Sequence, residues 1–119
     1  MTTPAPAAGP YTPIVRAGDW LVVSGQVGLA DGVVVAGGLE AELRQAVANL
    51  AAQLATEGAG LADVVKTTVY LRHMSDYDLM NGAYVEAFGA HRPARSAVGV
   101  TELPLGALVE VEAWAWVGR

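Results

Sequence analysis

An arginine, Arg95, and a pair of glutamates, Glu110 and Glu112, stand inside β-prone runs of this sequence, Ala94 to Thr101 and Ala107 to Val117. A guanidinium and a carboxylate held on one face of a sheet can form a ligand site for a small polar molecule at a subunit boundary. The plainer alternative is a structural salt bridge between Arg95 and Glu110 across an oligomer interface, since buried charges are normally paired whatever their function. Other chemistries find less support. The serines are Ser24, Ser75 and Ser96, and none stands in a GxSxG elbow or comes with an identifiable His and Asp set. His73 and His91 share no helical or strand spacing, so a two-histidine metal site is not expected. No GxGxxG follows a strand, and no GxxxxGK[ST] is present. The reading is a site with neither metal nor cofactor, in an enzyme or in a binding module.

The elements that must position these residues follow from patterning. Pro4, Pro6 and Pro10 oppose regular structure, so residues 1–9 read as a flexible lead-in and order begins near Tyr11. Ile14 to Arg16 and Trp20 to Ser24, separated by a Gly-Asp turn, predict a hairpin, and Val33 to Val35 a short further strand. Leu39, Leu43, Ala46, Val47, Leu50 and Leu54 form a helical stripe that stops at Gly58. Val64 to Leu71 is β-branched and reads as a strand. Ser75 is placed to cap a second helix bearing Tyr77, Met80, Tyr84 and Phe88 on one face, with Asp76 and Asp78 favouring its dipole. The expected order is β-β-α-β-α-β-β in one domain spanning residues 1–119, an α+β fold with a mostly antiparallel sheet and two helices on one face.

Alternation along the last strand sends Val109, Val111, Ala113 and Ala115 to the helices, and Glu110, Glu112, Trp114 and Trp116 the other way. The same count puts Trp20, Val22, Ser24 and Gln26 opposite Leu21 and Val23, and it separates Arg95, Ala97 and Gly99 from their neighbours. On this reading Ser24, Arg95 and Glu110 share the face the helices leave open. Three tryptophans on that face predict burial against a partner subunit.

Composition narrows the partners. A net charge of -5 with no run of Lys or Arg makes a phosphate-tracking surface hard to build, so nucleic acid is not expected. There is no cysteine, hence no disulfide, thiolate metal site or cysteine nucleophile. The first ten residues lack the basic start and apolar run of a signal peptide, and no stretch is long enough to span a bilayer. The expectation is a cytoplasmic protein with no membrane partner.

Pro93-Ala94-Arg95-Ser96, then Leu103-Pro104, then Val109-Glu110-Val111-Glu112-Ala113 resemble the signature of the YjgF/Rid family of reactive intermediate deaminases. Gly9-Pro10-Tyr11, Val23-Ser24-Gly25-Gln26, Arg44-Gln45-Ala46, Val64 to Val69, and Asn81 with Tyr84 fall in the family's order, so the resemblance covers nearly the whole chain. It implies a chorismate-mutase-like fold, a homotrimer with a central barrel, and ligand clefts between subunits. It also implies hydrolysis of 2-aminoacrylate or 2-iminobutanoate, products of pyridoxal-phosphate dehydratases, to 2-keto acids and ammonia. By position, Arg95 would bind the substrate carboxylate and Glu110 would orient or activate water, while Tyr11, Ser24 and Asn81 would line the cleft. Ala97 stands where many members have Cys, although its backbone can still reach a carboxylate. Gly28 replaces a common Pro, His91-Arg92 an aromatic, and the stretch from Gly28 to Leu39 is short. Three alternatives remain: a non-enzymatic trimer that binds keto acids as a regulator, a hydrolase of another imine in a dedicated pathway, and the ribonuclease activity of some relatives, which the acidic balance disfavours.

Overall fold

Trp20–Val27 (β2) pairs backwards with Ile14–Ala17 (β1) across a two-residue turn, where Gly18 takes a φ of 62° that a side chain would resist. The computed structural model describes residue 4 and residues 6–118, so the expected flexible lead-in at residues 1–9 falls partly outside the described residues. A two-stranded hairpin, Leu29–Ala30 (β3) and Val33–Val34 (β4), precedes the first long helix, Gly38–Ala55 (α1). Then come Val64–Leu71 (β5), a single helical turn at Met74–Asp76, Tyr77–Phe88 (α2), Ala94–Gly99 (β6) and Val109–Trp116 (β7). The main sheet has five strands in the order β1-β2-β7-β5-β6, antiparallel except for β5 with β6, whose connection runs through α2. The α+β architecture expected from the sequence is the one observed.

Both helices lie on one face. Leu43, Leu50 and Leu54 of α1 and Met80 and Phe88 of α2 bury against Leu21, Val23, Val64, Val69, Val109 and Val111. At a site this enclosed, cutting Leu50 to Ala would cost about 2–5 kcal/mol. Helix α1 stops where its pattern predicts: the Ala59 N–H turns back to the Leu54 carbonyl at 3.0 Å around Gly58, whose φ is 72°. The start of α2 differs from expectation. Ser75 lies within the preceding turn, and Asp76 holds the capping position without a side-chain cap bond.

Register corrects two face assignments. Arg95 pairs with Thr67, which pairs with Ala113, and both partners are wholly buried beneath the helices. Arg95 therefore points to the helix side, not to the open face with Glu110. Gln26 also moves to the helix side, opposite Val111, because a bulge at Ser24-Gly25 inserts an extra residue and reverses the alternation beyond it. Glu110 does face away from the helices, between Val27 and Tyr70, together with Glu112, Trp114 and Trp116. That face is uncovered in the single chain: Trp114 is 45% and Trp116 42% exposed, and the Trp20 ring meets Trp114 edge-on at 6.0 Å.

Candidate functional site

The residues singled out from the sequence form two groups, not one. Along β5 the levels of Arg95 and Glu110 are Thr67 and Tyr70, three residues apart, and β5 lies between their strands. Strand spacing makes that about 10 Å along the sheet and about 10 Å across it, with the sheet itself between the two side chains.

The first group is built on α2 and the edge strand β6. The half-buried Arg95 guanidinium donates from Nη2 to the Tyr77 hydroxyl at 3.0 Å and from Nη1 toward the Met80 sulfur at 3.6 Å. It lies 5.0 Å from the Tyr84 ring centre and 5.5 Å from that of Tyr77. The Tyr84 ring is fixed by its hydroxyl contact with Thr67 at 2.7 Å and by stacking on Phe88, and burial raises its pKa despite the Thr67 bond and the Arg95 charge. Among the described residues no carboxylate pairs with Arg95, so the intrachain salt bridge to Glu110 is not formed. Asn81 sits one helical turn beyond Tyr77, and its Oδ1 is buried without a hydrogen-bond partner. Ala97, two residues on from Arg95, packs at the margin of the core, while the outer edge of β6 leaves alternate backbone groups free of the sheet.

The second group surrounds the bulge of β2. Here Glu110 closes over Gly25 so tightly that a Cβ on Gly25 would sit 2.6 Å from its Cδ. Burial, and then the neighbouring charge of Glu112, raise the Glu110 pKa. Tyr70 donates its hydroxyl to Glu112; that bond, more than burial or the two glutamate charges, lifts the Tyr70 pKa to about 12. The Ser24 hydroxyl donates to the Thr12 carbonyl at 2.8 Å and so ties down the segment that carries Tyr11. The Tyr11 hydroxyl in turn accepts from the Ala8 N–H at 3.2 Å. Behind them a cavity of about 40 Å³ is lined by Tyr11, Gly25, Gln26, Asn49 and Gln53, among others. Asn49 fixes the chain just beyond the bulge by donating to the Val27 and Leu29 carbonyls at 3.0 and 2.9 Å.

Sequence reasoning named Arg95, Glu110, Tyr11, Ser24, Asn81 and Ala97. It assigned no part in the site to Gly25, Tyr77 or the Tyr70–Glu112 pair. Gly25 carried a legible signal, a glycine inside a β-branched run, which marks a bulge or a close approach. The Tyr77 contact depends on the face Arg95 takes and was not visible without the register. Among the described residues no cluster of three or more His, Asp or Glu is arranged to hold a metal ion, and no helix is long and apolar enough to cross a membrane.

Residues 2–117 match the family model described as Endoribonuclease L-PSP. A 2-iminobutanoate/2-iminopropanoate deaminase of Mus musculus is 44% identical over 120 residues, spanning 98% of this chain and 89% of that protein. A RutC family protein of Pyrococcus horikoshii is 42% identical over 110 residues, spanning 91% of this chain and 87% of its own length. The crystal structure of RidA from a Psychrobacter species superposes with a TM-score of 0.90 at 34% identity, covering 97% of this chain and 94% of that one.

Proposed function

The chain belongs to the Endoribonuclease L-PSP family, the YjgF/RutC family, and on that footing we propose that it hydrolyses 2-imino acids such as 2-iminobutanoate and 2-iminopropanoate to 2-keto acids and ammonia. The observation that carries this reading is the half-buried Arg95 guanidinium, held between two tyrosines and, among the described residues, paired with no carboxylate. A cation so placed calls for an anionic ligand, and the planar fork of arginine matches a carboxylate with two parallel hydrogen bonds. The unmet Asn81 Oδ1 nearby would accept from an imine or amine N–H.

Glu110 supplies the other requirement. A carboxylate whose proton affinity is raised by burial and by Glu112 is suited to take a proton from water attacking the imine carbon and return it to the departing nitrogen. Water is the only co-reactant, and the imine is electrophilic enough that no metal or organic cofactor is called for. Because Arg95 and Glu110 occupy opposite faces of one sheet, we place the substrate between two subunits: Arg95, Asn81 and the Ala97 backbone come from one, and Glu110, Gly25, Ser24 and Tyr11 from its neighbour. Further copies of the chain would cover Trp20, Trp114 and Trp116, and the number three comes from the family resemblance. The compartment proposed is the cytoplasm.

The test generates 2-iminobutanoate in situ with an amino-acid oxidase and follows ketone release. Acceleration by this protein, unaffected by a chelator, supports the hydrolase. Binding of 2-oxobutanoate without any acceleration would instead support the regulator.

A further inference from the structure

Arg95 can present five N–H groups, and two of them meet weak or neutral acceptors within the chain, the Met80 sulfur and the Tyr77 oxygen. A thioether sulfur at 3.6 Å yields readily to an incoming oxyanion. Tyr77 differs. It accepts from Nη2 through its oxygen, and among the described residues its own O–H proton has no acceptor. The ring stands at the surface, 38% exposed, on the first turn of α2 and on the same side as Asn81 and Tyr84. A free donor is thus fixed beside the remaining N–H groups of a guanidinium that has no carboxylate partner among the described residues.

We propose that Tyr77 is a substrate-binding residue of the Arg95 site, its hydroxyl donating to the same carboxylate that the guanidinium grips. This rests on the reading of Arg95 as the carboxylate anchor and adds a second recognition group to it. The bond from Nη2 draws electron density from the phenol oxygen and makes its proton a better donor, so the two groups reinforce one another on an anion. Hydrogen bonds to charged groups are the stronger class. The hydroxyl also narrows specificity, because an oxyanion is required to use the guanidinium and the phenol together.

Tyr77→Phe removes the hydroxyl, keeps the ring under Arg95, and at so exposed a position leaves the fold intact. Calorimetry with 2-oxobutanoate, and steady-state kinetics on 2-iminobutanoate, would be run on the wild type, Tyr77→Phe and Arg95→Lys. The expected result for Tyr77→Phe is a Kd and a KM raised about tenfold, with kcat within about twofold and the melting temperature unchanged. Arg95→Lys should lose keto-acid binding more severely. If Tyr77→Phe binds 2-oxobutanoate as the wild type does while Arg95→Lys does not, the role of Tyr77 is overturned and Arg95 stands. If Arg95→Lys also binds as the wild type does, the carboxylate anchor itself is wrong and Tyr77 falls with it.

Discussion

The two faces of the sheet obey different rules. On the helix side, polar groups are few and mostly answered within the chain: Thr67 by Tyr84, the Leu108 N–H by the buried Glu42 carboxylate at 2.8 Å, and the Val27 and Leu29 carbonyls by Asn49. The exceptions cluster at one margin, the charge of Arg95 and the oxygen of Asn81. On the open side two glutamates share a strand with two exposed tryptophans, and among the described residues only Glu112 receives a side-chain hydrogen bond, from Tyr70. A fold can complete one face by itself and leave the other for a partner. The two charged candidate residues lie where each face is unfinished, a cation at the edge of one and a carboxylate within the other.

The largest effect should come from spoiling the open face. Trp114→Glu places a third carboxylate beside Glu110 and Glu112 and removes a ring that would bury about 150–250 Å². Light scattering should show a shift from trimer to monomer, with imine hydrolysis falling by about 100-fold or more because each site loses its other half. A fully active monomer would erase the distinction between the faces.

Next in size is Glu110→Gln, which keeps shape and hydrogen bonding but cannot take a proton. Turnover should fall by about 100-fold, with 2-oxobutanoate affinity preserved. The raised pKa of Glu110 also fixes a sign for stability. The folded state holds this proton to higher pH than the unfolded state does, so stability falls as pH rises through the interval above the ordinary carboxylate value of 4.5. Thermal melts across pH should show Glu110→Gln lacking that decline and melting above the wild type at neutral pH. A wild-type rate that keeps its acid limb at the ordinary carboxylate value would count against Glu110 as the base.

Gly25→Ala should act more mildly and locally. Its new Cβ meets the far end of Glu110, at Cδ and Oε2, not backbone, so the carboxylate swings aside while the fold persists. Turnover should drop about tenfold with little change in melting temperature. A loss of stability comparable to the loss of rate would mean that Gly25 serves the bulge alone.

The parts legible in the sequence were those with strong contrast between neighbouring residues. In β7 valine and alanine alternate with glutamate and tryptophan, so the face of Glu110 could be read directly, and the stripe of α1 gave both its length and its end. In β6 the residues Ala94, Ser96, Ala97 and Gly99 offer little hydrophobic contrast, and the strand is an edge paired in parallel across a helical crossover, so its face was set by a register that local pattern does not encode. Arg95 was therefore placed beside Glu110 on the wrong assumption that both belong to one face. Gln26 was misplaced for a different reason, a single inserted residue in β2, of which Gly25 was the visible sign.

The central claim is that each site takes Arg95 from one subunit and Glu110 from another, and mixing two inactive proteins tests it most directly. Arg95→Lys and Glu110→Gln would be denatured together in equal amounts, refolded and assayed for 2-iminobutanoate hydrolysis beside each variant refolded alone. In a closed ring of three with random assembly, a boundary joins an intact Arg95 to an intact Glu110 with a chance of one half times one half, so the mixture should recover about a quarter of wild-type activity. A mixture that stays as inactive as its components, while mass measurement shows that mixed trimers have formed, would place both residues' work within a single chain and contradict the account.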